Sequence, residues 1–264
     1  MNQQLKALWN YRGFILGSVQ REFQEKYRNS LLGALWTVLG PLSNILIYTV
    51  IFSQIMKSRL PGVERSFAYG IYLCAGVVLW GLFVEIVTRC QTVFLAHANL
   101  IKKLNFPKIC LPIIVTLNAL VNFAIIFLLF LLFLLVTHSL PGKAILYTPL
   151  LVLLVIVMAC GLGILLGVLH VFFRDVGQLL NIVLQFWFWF TPVVYPMSIL
   201  SVRVKAWVAY NPMTALIQSM QNIYLFDRAP VWGDLLYPGL LALVFALLAL
   251  RLFRSKAGEI VDEL

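Results

Sequence analysis

Residues 29–56, 109–142, 144–173 and 176–202 form four runs without a single Asp, Glu, Lys or Arg. Crossing about 30 Å of hydrocarbon takes roughly 20 apolar residues at about 1.5 Å of helical rise each, so every run is long enough to span a bilayer. Inside hydrocarbon each backbone N–H and C=O needs a partner within the chain, which leaves helices or closed barrels. Barrel strands alternate apolar and polar residues, whereas these runs are continuous, so helices are expected. Composition agrees: 62% of the 264 residues are hydrophobic and 11% are charged, against about 25% charged in ordinary soluble domains.

Two further spans are weaker in pattern. One covers about 66–98 and carries Glu85 and Arg89; the other covers about 234–253, where Arg251 can snorkel to the interface. The expectation is an all-α integral membrane protein with six transmembrane helices, at about 30–56, 66–98, 111–138, 144–172, 177–196 and 234–253, within one transmembrane domain over 30–254. Residues 206–226 also lack charge, but Asn211, Pro212, Thr214, Gln218, Ser219, Gln221 and Asn222 make them too polar to face lipid. A re-entrant or surface segment is expected within 197–230.

The net charge of +10 does not indicate nucleic acid, because the basic residues gather at the ends of apolar runs and form no stripe with interleaved aromatics. It reads as topology. With the N-terminus inside, Lys6, Arg12, Arg21, Lys26, Arg28, Lys102, Lys103, Lys108, Arg174, Arg251, Arg254 and Lys256 fall on one side. They outnumber Lys57, Arg59, Arg65, Lys143, Arg203, Lys205 and Arg228 on the other, which places both termini and the 255–264 tail in the cytoplasm. Residues 1–29 carry Leu8, Ile15, Val19, Phe23 and Tyr27 near helical spacing, with Glu22 and Lys26 set as an i, i+4 pair. They predict an amphipathic helix in the headgroup plane, serving as an anchor or as a gate. No cleavable signal pattern precedes the first span, so that span is expected to be retained.

Catalytic patterns are absent from the sequence. It holds no HExxH, GxSxG or DxD, and no phosphate-binding loop, since Gly142-Lys143 continues into Ala144. His97, His138 and His170 are isolated, and Cys74, Cys90, Cys110 and Cys160 form no CxxC pair. Neither catalysis nor a metal or cofactor is expected, and any ATP would be hydrolysed by another subunit. Glu85 and Arg89 stand four apart on one helix, as a self-neutralising pair that fixes packing or as polar lining for a substrate path. Ala159, Gly163 and Gly167 form a small-xxx-small face suited to a neighbouring helix of the same chain. Trp187, Phe188, Trp189 and Phe190 are consecutive and point around a whole helix, so some must face protein or a pore. With Trp80, Phe83 and Tyr195 they are candidates for stacking on sugars, or for packing against other helices.

Four segments occur in a telling order: residues 21–42, REFQEKYRNSLLGALWTVLGPL; 99–112, NLIKKLNFPKICLP; 172–196, FFRDVGQLLNIVLQFWFWFTPVVYP; and 210–216, YNPMTAL. Together they resemble the permease subunits of ABC transporters that export polysaccharides. The resemblance implies a homodimer in the bacterial cytoplasmic membrane, bound to two ATPase subunits and moving lipid-linked O-antigen, capsule or teichoic acid. It implies that Lys102, Lys103, Asn105, Phe106 and Pro107 belong to a coupling loop over 99–110, with Arg174 and Asp175 on a second cytoplasmic turn; Asp175 also suits a plain helix cap. It implies a lipid-head entrance at Arg21, Lys26, Tyr27 and Arg28, where arginine forks suit a diphosphate. It places a periplasmic gate around Asn211 and Pro212. The residues themselves make Glu85, Arg89, Trp80, Phe83, Trp187, Trp189 and Tyr195 the candidates for the substrate path. The rival readings are an ABC permease for a lipid or drug and, with least support, a membrane enzyme acting on lipid-linked sugars.

Overall fold

The computed structural model describes residues 9, 11–27, 35–47, 67–103, 106–256, 258–259 and 263, apart from the side chains of Lys26, Tyr27 and Thr37. Arg28, Asn105 and the stretch 48–66 lie outside the described residues. The helices are α1 (Arg12–Tyr27), α2 (Trp36–Ile47), α3 (Ala68–Ala96), α4 (Ala98–Lys103), α5 (Cys110–Val136), α6 (Thr148–Phe172), α7 (Val176–Phe190), α8 (Val202–Ala209), α9 (Pro212–Phe226) and α10 (Trp232–Lys256). Tight 3-10 turns occupy Lys143–Tyr147 and Met197–Ile199, and no strand occurs among the described residues.

Four helices are long and apolar enough to cross a membrane: Ala68–Ala96, Cys110–Val136, Lys143–Phe172 and Trp232–Lys256. They match four of the expected spans closely. Of the expected first span, the described part is α2, a helix of 12 residues with Pro41 inside it. The expected fifth span stops early. α7 has 15 residues, about 22 Å of helix, which is less than the hydrocarbon thickness. The cause is Pro192, which disfavours helical geometry in the residue before it and leaves Thr191 extended at φ −102°, ψ 136°. Residues 191–196 then continue as irregular chain.

α3 is the buried centre, packed along α6, α5 and α9, while α6 also packs along α10. The small-residue face of α6 makes the first of these contacts possible. A Cβ on Gly163 would stand 2.6 Å from Cβ of Cys90, and one on Gly167 would stand 2.6 Å from the Cys90 carbonyl oxygen. The close approach is therefore to α3 of the same chain, as the sequence pattern suggested. The outer faces of α5 and α10 expose Leu128, Leu132, Leu135, Leu240, Leu243 and Leu247. Leucines over a whole helix flank suit lipid contact.

The polar stretch before the last span forms the buried helix α9. Asn211 caps it by accepting the Met213 N–H, and Pro212 occupies the first turn, where its missing N–H has no cost. Thr214, Ser219 and Gln221 are buried inside the protein, so their polarity never meets lipid. The helix ends at Asp227, whose left-handed backbone (φ 51°) turns the chain and whose carboxylate accepts the Ala144 N–H at 3.1 Å. This bond ties the end of α9 to the start of the 3-10 turn before α6.

Candidate functional site

Three polar features interrupt the apolar body, and each draws on residues distant in sequence. The first is a chamber of about 440 Å³ where α1 lies across α3 and α5, lined by Glu22, Phe23, Glu25, Glu85, Arg89, Asn118 and Asn122. Arg89 divides its guanidinium between two carboxylates: Nη1 lies 3.4 Å from Glu85, and Nη2 pairs with Glu22. Asn118 donates to the same Glu22 carboxylate, and Asn122 donates to Glu85 at 2.8 Å. Glu22 thus pairs across to α3; the side chain of Lys26, its expected i, i+4 partner, lies outside the described residues. Glu85 and Arg89 face α1 and α5.

The second feature is an open groove of about 310 Å³ between α3 and α7, lined by Trp80, Val84, Thr88, Asn181, Leu184, Gln185, Phe188 and Trp189. Its walls alternate aromatic faces with amides. Phe188 stacks edge-on against Trp80 and Trp189, at centroid distances of 5.7 and 5.4 Å. The four consecutive aromatics divide as their angular spread requires: Trp189 is 61% exposed, while Trp187 turns inward and donates its Nε1–H to Asn211 at 2.8 Å. Phe83 is fully buried beneath Trp187, with ring centroids 5.1 Å apart, so it supports the groove without lining it. Gln178, Asn181 and Gln185 are all exposed along α7.

The third feature is the irregular chain 191–196 and the side chains that satisfy it. Tyr69 donates to the Val194 carbonyl at 2.6 Å, and Tyr72 lies within hydrogen-bonding distance of the Pro192 and Tyr195 carbonyls. Gln221 donates to the Pro192 carbonyl at 3.2 Å. Asn211 donates to the Thr191 hydroxyl at 2.8 Å while accepting from Trp187 and Met213. Non-helical backbone beside lipid needs such partners. Tyr195 itself donates to the Trp189 carbonyl at 3.0 Å, at the edge of the groove.

The expected coupling residues lie at one end of the bundle. Lys102 and Lys103 are exposed at the end of α4, and Arg174 and Asp175 are exposed between α6 and α7. Asp175 holds the cap position of α7, but its side chain makes no capping bond. Pro107 accepts the Cys110 N–H at 2.9 Å at the start of α5. Phe106 turns back onto α1, its ring 5.5 Å from that of Phe14, beside Ile15, Cys110 and Ile114. Phe106, three residues after Lys103, is therefore in contact with the helix that carries Glu22. Of the expected lipid-head residues, Arg21 is exposed and folds back on the Gly17 carbonyl at 3.1 Å. Arg28 and the side chains of Lys26 and Tyr27 lie outside the described residues.

Sequence reasoning missed Glu22, Asn118, Asn122, Asn181 and Gln185. Two pairs carried a signal: Asn118 with Asn122, and Asn181 with Gln185, stand four apart inside apolar runs and so share a helix face.

A family model described as "ABC-2 type transporter" matches residues 15–225. The O-antigen export system permease protein RfbA of Myxococcus xanthus is 29% identical over 263 residues, covering 98% of each chain. An RfbA protein of Klebsiella pneumoniae is 26% identical, covering 78% of this chain and 77% of its own. The polysialic acid transport protein KpsM of Escherichia coli is 22% identical over 237 residues, covering 89% of this chain and 90% of its own. A match through most of the helical body, joined to several membrane-length helices, decides the family: the chain is a multi-pass membrane protein of the ABC-2 transporter family.

Proposed function

We propose that this chain is the permease subunit of a bacterial inner-membrane ABC transporter that exports a lipid-linked polysaccharide, most closely O-antigen. In this reading it forms a homodimer with two ATPase subunits, crosses the membrane six times with both termini inside, and makes or breaks no covalent bond. The first span includes α2, the fifth is α7 continued by the irregular chain 191–196, and the chain from 197 to 230 enters the membrane from the far side as a gate.

One observation carries the reading: the groove between α3 and α7 presents Trp80, Phe188 and Trp189 beside Thr88, Asn181 and Gln185. Amides on an open flank of a membrane-embedded helix are unfavourable against lipid. Aromatic faces take the C–H faces of sugars, and amides take their hydroxyls. An export path for a drug or bare lipid has no use for the amides. The relatives' printed names, O-antigen export and polysialic acid transport, point to the same substrate class.

Transmission follows from the contacts of α1. Movement of the Lys102–Lys103 turn by the ATPase is passed by Phe106 to Phe14, and α1 carries it to Glu22 and Arg89. Deletion of the gene is expected to leave lipid-linked polymer in the cytoplasm and strip it from the surface. Full surface glycan after deletion, in a strain with no second exporter, would contradict the reading.

A further inference from the structure

We infer that Arg89 and Asn118 form a receiving site for the phosphate of a lipid head, and that Glu22 fills this site as an internal stand-in while α1 is seated. The inference rests on the proposed lipid-linked substrate and adds where its head is held. The Glu22 carboxylate takes bonds from both the Arg89 guanidinium and the Asn118 amide. Phosphate oxygens accept from the same donors, and the arginine fork suits them.

Charge explains why the site is closed in this conformation. Among the described residues, Glu22, Glu25 and Glu85 line the chamber with Arg89, and the Glu22 carboxylate holds the donors that an anion would need while α1 lies in place. Glu22 and Glu25 both belong to α1. When α1 moves away, both of their charges leave together. Arg89 then keeps its pairing with Glu85, which Asn122 holds in position. The Nη2 arm of the guanidinium and the Asn118 Nδ2 lose their acceptor at the same moment.

The fork therefore has one arm retained by Glu85 and one arm to exchange. The depth also suits a headgroup. Arg89 lies seven residues before Ala96, the last residue of α3, or about 10 Å along the helix. That end of α3 leads into the Lys102–Lys103 turn. The chamber of about 440 Å³ is many times the roughly 30 Å³ that one water occupies in the liquid.

The test is binding of farnesyl diphosphate to the full chain in phosphatidylcholine nanodiscs. E22Q is expected to tighten binding about tenfold, because a neutral amide competes weakly for a guanidinium. N118A in the E22Q background is expected to give back about half of that gain on a logarithmic scale, and R89K all of it, since lysine keeps the charge and loses the fork. Elution as a monodisperse species establishes that each variant is folded. Two arms identify the source of the phosphate. Competition by inorganic pyrophosphate, or by phosphatidylglycerol introduced into the nanodisc, supports a site for any phosphate head; failure of both to compete supports a site for the isoprenoid diphosphate alone. Unchanged affinity in E22Q, or E22Q/R89K binding as tightly as E22Q, would overturn the inference. If that happened while gene deletion still abolished export, only this inference would fail and the proposed function would stand.

Discussion

Asn211→Leu is expected to destabilise the protein by about 3–5 kcal/mol, since each buried polar group left without its partner costs about 1–3 kcal/mol. Asn211 accepts from Trp187 and from the Met213 N–H, and donates to the Thr191 hydroxyl at 2.8 Å. Leucine nearly matches the volume and removes every one of these bonds at once. The end of α7, the irregular chain and the start of α9 would lose their common fastener. Asn211→Asp keeps both acceptor contacts and loses the donor, so it should fall between leucine and the parent. Thermal unfolding followed by tryptophan fluorescence checks the order, with Trp187 reporting from the site itself. A leucine variant within 0.5 kcal/mol of the parent, about the spread of ordinary surface substitutions, would remove Asn211 from this role.

Phe106→Ala should separate ATP hydrolysis from export. The ring meets Phe14 at 5.5 Å, which packs the chain just after Lys102 and Lys103 against α1. Removing it takes away the contact and leaves Lys102 and Lys103 free to engage a partner. Surface glycan is expected to fall about tenfold, equivalent to about 1.4 kcal/mol of lost coupling, while the reconstituted ATPase keeps most of its rate. Phe14→Ala should give the same split from the other side, and the double variant should add little because the two rings form one contact. Equal losses of ATPase and export would mean that Phe106 serves only to dock the ATPase.

The long helices were legible because apolar length is a local property that lipid enforces directly. Positions 111–138 and 144–172 were readable to within a few residues. The early end of α7 was also written locally, in Pro192, but the charge-free run through Val202 hid it. The polarity of 206–226 was legible, and Thr214, Ser219 and Gln221 are buried inside the protein.

Glu22 was not legible as a site residue. A carboxylate four residues from a lysine on a surface helix looks like ordinary solvated charge, and only the packing of α1 on α5 brings it within reach of Arg89. Asn118 and Asn122 were hidden because amides carry no charge and do not break an apolar run. The WFWF stretch gave the right inference, that one face must turn inward. It did not tell which face, because that depends on where Asn211 lies across the fold.

A photoreactive phenylalanine analogue at Gln185 tests the central claim most directly, namely that the glycan passes along the groove between α3 and α7. Irradiated in cells during polymer synthesis, it should yield a permease adduct that carries polysaccharide and reacts with antibody to the glycan. The same group at Leu247, 57% exposed on α10, should yield none. Glycan adducts absent at Gln185, or equally abundant at Leu247, would contradict a path through this groove.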